Sequence, residues 1–199
     1  YLQKKDIHVG CYMIINDPVA TIASHISFTF VDYPQPEATA MVVYFCGCEH
    51  NCAGCQNPEL QNPYPQDESF ICLNVKSLFD LLLEYSGKYR TTNVILTGGD
   101  PLFERNLPFT KALLSINNGN FGFCIFTGYD IEYAKFNQVK YFEYIKTGKY
   151  IQTLKQESIK TNNAYQLASK NKQLFDRNYN LLTTPTGIYF FNEGDKKTI

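Results

Sequence analysis

Three cysteines, Cys48, Cys52 and Cys55, stand in the spacing C-x3-C-x2-C on one short segment. Thiolates are the standard ligands of iron–sulfur centres, and three on one loop can each take one iron of a cubane, leaving the fourth iron without a protein ligand. An open coordination position is what a metal centre needs in order to bind a substrate. Two other chemistries fit the same loop. Cys48, His50, Cys52 and Cys55 make a Cys3His set for a closed structural zinc site. Cys46 offers a fourth thiolate for a closed electron-transfer cluster. The loop by itself leaves all three open.

A second motif bears on the choice. Forty-three residues beyond Cys55, the segment NVILT (residues 93–97) runs into Gly98-Gly99-Asp100-Pro101-Leu102. Two glycines at a strand end let a ligand lie against bare backbone, as ligands do at strand ends in parallel α/β sheets. The bland reading of the same run is a strand-to-helix turn. Here the preceding apolar run, AMVVYFC (residues 40–46), leads into the cysteine loop. The two loops are therefore expected to open on the same edge of a sheet.

The elements that must position these loops follow from pattern. Residues 6–15 and 26–31 are β-rich, and DYPQP (residues 32–36) is a turn. Residues 40–46, 93–97, 121–127 and 141–145 are apolar runs suited to strands buried on both faces. Asn74 is a helix N-cap, Val75, Leu78, Leu82 and Tyr85 repeat at helical spacing, and Gly87 is a stop. Further helices are expected over 104–116 and 131–137. This alternation implies right-handed crossovers and a parallel sheet, an α/β fold. Residues 155–177 are expected to wrap the outside of the sheet, and residues 180–192 to form a hairpin around Pro185 and Gly187. The whole, 1–199, reads as a single domain with its core at about 30–150 and an extension at each end.

The formal net charge of -1 gives no reason to expect nucleic acid or an anionic membrane as partner. No apolar run reaches the length of a membrane span. The chain begins at Tyr1 rather than Met, so a natural N-terminus upstream is expected, and the first residues lack the layout of a signal peptide. Seven cysteines, an odd count, argue for a reducing compartment, the cytoplasm, over a disulfide framework. Cys11, Cys46, Cys72 and Cys124 read as buried thiols packed as small hydrophobes. His50 reads as a solvent-facing loop residue or partner contact.

The two motifs in this order resemble the radical S-adenosylmethionine superfamily. Gly47-Cys48, Asn51-Cys52-Ala53-Gly54-Cys55-Gln56-Asn57, Thr97-Gly98-Gly99-Asp100-Pro101-Leu102 and Phe126-Thr127-Gly128-Tyr129 resemble the activating enzymes of anaerobic (class III) ribonucleotide reductases. Thr147-Gly148-Lys149-Tyr150 with Leu154, and Ser169 to Gln173, continue the likeness, although Thr147 stands where that family has Asp. Gly54 replaces the aromatic residue that many radical enzymes carry before the last cysteine.

The resemblance implies an incomplete (β/α) barrel with a mainly parallel sheet, and a [4Fe–4S] cluster on Cys48, Cys52 and Cys55 at the strand C-termini. It implies that S-adenosylmethionine chelates the open iron and meets the backbone of Gly98, Gly99, Asp100 and Pro101 at its methionine end. Asn57 would brace the cluster loop or touch the cofactor, an Asx-turn before Pro58 being the plainer reading. Thr127, Gly128 and Tyr129 would line the adenosine pocket, with rim packing as the alternative for the tyrosine. No side chain is expected to be catalytic, because cluster and cofactor carry the chemistry. Reductive cleavage would give a 5′-deoxyadenosyl radical that oxidises a glycine of a partner, the large catalytic subunit of an anaerobic ribonucleotide reductase. A one-electron donor such as a flavodoxin is implied too. Docking is expected at the rim around residues 49–51.

Two other functions compete: a radical enzyme acting on a small molecule or on another glycyl-radical enzyme, and a zinc- or cluster-binding module without catalysis. Anaerobic reconstitution separates the last of these. About four irons per chain are expected, with loss of the cluster in Cys52→Ala. Stoichiometric zinc in place of iron would refute the cluster.

Overall fold

The computed structural model describes residues 17–157 and 164–191, so the strand expected over 6–15 and Cys11 lie outside the described residues. The strands and helices, in chain order, are β1 (Val19–Ala23), β2 (Ser27–Thr29), β3 (Ala40–Phe45), β4 (Phe70–Asn74), α1 (Val75–Tyr89), β5 (Asn93–Gly98), α2 (Leu107–Ser115), β6 (Gly122–Phe126), α3 (Ile131–Phe136), β7 (Tyr144–Thr147), β8 (Ala164–Gln166), β9 (Gln173–Asp176) and β10 (Ile188–Phe190). Eight strands form one sheet in the order β4-β1-β3-β5-β6-β7-β9, with β2 also beside β3. Its centre, β3-β5-β6-β7, is parallel, and antiparallel strands flank it on both sides. The sheet path ends at β4 and β9, which do not pair, so the α/β barrel is incomplete.

The apolar run of β3 is buried on both faces, as its composition requires. Met41, Val43 and Phe45 pack with Leu78 and Leu82 of α1 and with Phe109 and Leu113 of α2. Val42 turns the other way, to Ile95, Cys124 and Tyr33. Burying each large apolar side chain contributes roughly 1.5–3 kcal/mol, so the parallel centre is the best-anchored part of the sheet. All functional loops considered below leave this centre at its C-terminal edge.

Several boundaries differ from expectation for identifiable reasons. Helix α1 runs through Gly87 and ends at Arg90, which takes a left-handed conformation (φ 54°) and donates its N–H to Ser86. A single glycine costs a helix only about 1 kcal/mol. Here Tyr89 packs on Phe28 at 5.0 Å between ring centroids, holding the last turn in place. Helix α2 starts at Leu107, since residues 101–106 form turns. Strand β7 starts at Tyr144, because Tyr141 has φ 66°, incompatible with a strand.

Other departures involve pairings between distant segments. β4, over residues where the sequence pattern predicts no element, pairs antiparallel with β1 along its whole length. Cys72 on β4 is exposed and disulfide-bonded, correcting the expectation of a buried free thiol. The edge strand turns this position to solvent. Segment 155–177 does not simply wrap the sheet: β9 joins it, antiparallel to β7. The turn at Thr184 to Gly187 forms, Gly187 N donating to Thr184 O at 2.9 Å. β10 nevertheless pairs with β8 rather than with its own neighbour.

The Asn74 side chain accepts from Ser77 N at 2.8 Å and caps α1. Asn74→Ala should lower unfolding free energy by about 1 kcal/mol, and Asn74→Asp should restore it. Urea denaturation of the two variants measures this; an Ala variant as stable as the parent would remove the cap from the account.

Candidate metal and cofactor site

The cysteine loop leaves β3 at Cys46 and returns to the sheet edge through backbone pairing. Gly47 N donates to Leu60 O at 2.8 Å and Cys48 N to Gln61 O at 3.1 Å, tying the loop's start to the short 3-10 turn Pro58–Gln61. Cys48, Cys52 and Cys55 are free and partly exposed. Burial pushes the Cys48 thiol up to about 11, with Asp100, Cys52 and Cys55 adding to it and a hydrogen bond from the His50 backbone opposing. The three sulfurs thus share one electrostatic environment, and a metal cation is what would make Cys48 a thiolate there. Cys46 is buried, and its thiol is pushed up to about 12 by that burial.

The loop after β5 docks against the same strand end. Gly99 N donates to Phe45 O at 2.7 Å and Asp100 N to Gly47 O at 2.8 Å. Gly98 has φ 106°, and a Cβ on Gly99 would stand 2.5 Å from Gly47 O and 2.6 Å from Leu60 O. The two glycines are therefore required first by the close approach of the two loops. Any side chain at 99 would displace the cysteine loop itself.

Asp100 is the centre of the site. Its buried carboxylate accepts from Leu102 N at 2.8 Å and Gly128 N at 2.8 Å, and the Thr127 hydroxyl reaches both oxygens at 2.9 and 3.0 Å. His50 Nε2 lies 2.8 Å from Oδ2, with its side chain only 5% exposed. A carboxylate only accepts, so Nε2 carries the proton. His50 is thus not the solvent-facing residue expected. Asp100 draws its ring inward, against the open face of Gly128, where a Cβ would meet it at 2.1 Å. The ring stands edge-on to Tyr129 at 4.5 Å, and Tyr129 stacks on Tyr133 at 3.9 Å. The Tyr129 hydroxyl donates to Glu49 at 2.7 Å, and burial followed by that bond pushes its pKa above the usual range.

The sequence-chosen residues Gly98, Gly99, Asp100, Pro101, Thr127, Gly128 and Tyr129 therefore meet the cysteine loop at one edge. Asn57 precedes the 3-10 turn with no side-chain capping bond, so the Asx-turn reading fails and its amide is left for another role. Two organising residues were missed, His50 and Asn106. Asn106 is buried, and its amide donates to Cys46 O and to Asp100 O, both at 2.9 Å. This use of the amide also explains why it does not cap α2. A polar side chain within a predicted helix start gave no sign of such a role.

Between the loops lies a cleft of about 530 Å³ lined by Glu49, His50, Gly128, Tyr129, Gly148 and Lys149, among others. A single metal ion needs donors converging on a point, and no group of three or more His, Cys, Asp or Glu does so among the described residues. Asp100 engages His50 Nε2 and leaves Nδ1 free, and among the described residues His50 and the cysteines do not converge as a single-ion ligand set. A cubane spreads its irons and takes one thiolate on each, which suits three cysteines distributed along a loop.

Residues 36–173 match the family model described as 4Fe-4S single cluster domain. The chain is 31% identical over 127 residues to the anaerobic ribonucleoside-triphosphate reductase-activating protein of Enterobacteria phage T4, covering 62% of this chain and 78% of that one. The chain belongs to this 4Fe-4S family, with the anaerobic ribonucleoside-triphosphate reductase-activating proteins. Proteins of the same name from Pasteurella multocida and Salmonella typhi are 30% and 25% identical, over 44% and 65% of this chain and 56% and 86% of theirs. Among solved structures, QueE from Escherichia coli aligns at TM-score 0.39 and 17% identity, over 55% of this chain and 53% of that one. No helix among the described residues is long and apolar enough to cross a membrane.

If Cys48 holds a cluster and the buried Cys46 does not, the two neighbouring cysteines should respond differently to substitution. Cys46→Ala should keep about four irons per chain, whereas Cys48→Ala should not. Asp100→Ala should destabilise by about 3 kcal/mol or more, because several charge-assisted bonds lose their acceptor at once. Iron assay and denaturant titration read these out. Loss of iron in Cys46→Ala would make Cys46 a ligand.

Proposed function

We propose that the chain is a glycyl-radical activase. One observation carries the reading: the free Cys48, Cys52 and Cys55 lie on the loop that Asp100 locks to the ends of β5 and β6. In this reading Cys48, Cys52 and Cys55 hold a [4Fe–4S] cluster. S-adenosylmethionine lies in the adjoining cleft, against Gly128 and Tyr129, and residues 98–101, Thr127 and Asn57 shape the ground between that cleft and the cysteine loop. Cluster and S-adenosylmethionine, when bound, supply a one-electron cleavage of the sulfonium bond whose radical product takes a hydrogen atom from a glycine Cα.

The chain's own residues orient and shield. Asp100 fixes the distance between the cysteine loop and the cleft. The Tyr133, Tyr129 and His50 rings form a rigid wall that keeps water from one side. The open sheet leaves the other side for the polypeptide that brings the glycine. That polypeptide is the large subunit of an anaerobic ribonucleotide reductase, and a flavodoxin-type donor supplies the electron.

The test is electron paramagnetic resonance of the reduced, reconstituted protein mixed with S-adenosylmethionine and an anaerobic reductase large subunit. A persistent glycine-centred doublet on the reductase is expected, with cofactor cleavage slow in its absence. Full-rate cleavage without partner, and no doublet with it, would transfer the assignment to a small-molecule substrate.

A further inference from the structure

Segment 149–157, which follows β7, reaches the cysteine loop at Gly54. A Cβ there would stand 3.2 Å from the Gln152 side chain and 3.6 Å from the Tyr150 ring. Lys170 N donates to Leu154 O at 3.0 Å and Gln156 N to Ala168 O at 3.2 Å, so residues 167–171 run beside that segment. The exposed side chains of the pair are basic. Lys149, Lys155 and Lys170 stand out against one exposed carboxylate, Glu157. Among the described residues none of the three lysines forms an ion pair. Ile151 and Leu154, 40% and 37% exposed, interrupt the lysines along the chain. The whole chain carries a formal charge of -1, so this positive excess is local. The other flank of the cysteine loop is acidic. Exposed Glu59 belongs to the 3-10 turn bonded to the loop's start, and exposed Asp67 and Glu68 follow it.

Between the two flanks the cysteine loop exposes its tip. Ala53 and Gly54 are exposed, and Cys52 and Cys55 beside them are partly so. Neither Ala53 nor Gly54 has a side chain long enough to hold a partner away from those two sulfurs. An electron bound for a centre on the cysteines meets the least intervening protein here. The cleft lined by Tyr129 is taken, in the activase reading, by the cofactor and the glycine-bearing polypeptide. We propose that Lys155 and Lys170, with Ile151 and Leu154, form the docking face for an acidic one-electron carrier protein, seated over the Ala53–Gly54 tip. Opposite charge on the two flanks steers and orients such a partner before contact. The small apolar centre keeps the encounter weak, as suits a carrier that must depart after each transfer. The inference rests on the activase reading for the need of an electron, while the surface itself selects the carrier's charge.

Lys155→Glu combined with Lys170→Glu reverses the charge of the face, and Lys155→Gln and Lys170→Gln each remove one charge. Both positions are exposed, so iron content should match the parent. The reconstituted proteins are reduced either by an acidic flavodoxin or by photoreduced 5-deazariboflavin, a small uncharged reductant. Bleaching of the visible absorbance of the cluster gives the rate. At low salt the doubly reversed protein should lose on the order of tenfold in rate with flavodoxin, and the Gln variants less. Raising the salt should slow the parent toward the variants. The deazaflavin-driven rate should be the same in all of them. An unchanged flavodoxin rate in the doubly reversed protein would overturn the docking face. Should that protein not fold, an unchanged rate in both Gln variants would do the same. A loss of the glycine-centred doublet under deazaflavin reduction would also overturn it, because the face would then belong to the reductase. The bleaching assay needs no reductase, so absence of the doublet from the parent protein would sink the activase reading and leave the docking face to its own test.

Discussion

A buried carboxylate with donors from three separate loops is the constraint on which the rest of this site depends. Asp100 is 1% exposed, and removing a charge of that kind from water is tolerable only when its lone pairs are met. The donors come from the loop after β3 through His50, from the loop after β5 through Leu102 N, and from the loop after β6 through Thr127 and Gly128 N. None of these loops has a regular ladder to hold it beyond its strand end. Pulling any one of them away strands the charge, so the three are fixed as a unit. Asn106 repeats the device from behind, joining Asp100 O to Cys46 O.

The unit needs a flat, well-registered support, which the sheet supplies. β3 and β5 pair in parallel up to Phe45 and Gly98, so their two loops leave at the same level. β6 pairs with β5 up to Leu96 and Ile125, and Thr127, two residues beyond that pair, reaches Asp100. Buried Val94, Leu96, Phe123 and Ile125 fix this register, since a slip by one residue would turn each of them to the other face. The packed core and the chemistry are therefore linked through strand register rather than through direct contact.

What the sequence made legible follows the same division. Local signals were sufficient for the central strands, for α1 with its Asn74 cap, and for the cysteine and Gly-Gly-Asp-Pro loops, because apolar runs and turn residues act over a few positions. β4, β8, β9 and β10 were not legible. Each is a short strand stabilised by a partner far along the chain, and QLFD in β9 has only two apolar residues to show for its place beside β7. His50 was misjudged for the same reason. A loop histidine flanked by Glu49 and Asn51 looks solvated until Asp100, fifty residues on, is known to face it. The close approach of the Gly99 backbone to Gly47 and Leu60 of the cysteine loop was not legible either, because it joins residues about forty to fifty positions apart.

The two walls of the site are determined to different degrees. On the Asp100 side, each strong polar group has a partner, and three aromatic rings fill the space behind. On the other side, segment 169–173 is held to the Gly148 loop by Lys172 Nζ on Gly148 O and by Asn171 Nδ2 on Lys149 O, both bonds between side chain and backbone. Ser169 Oγ and Asn171 Oδ1 are buried there with no partner among the described residues. Orphaned buried acceptors and hydroxyls subtract from local stability. This wall therefore gains most from any ligand that supplies the missing partners. Under the proposed activase function, a rigid wall beside the cysteines and an under-satisfied wall opposite them would suit a loop that must hold its geometry while a large polypeptide seats against its open side.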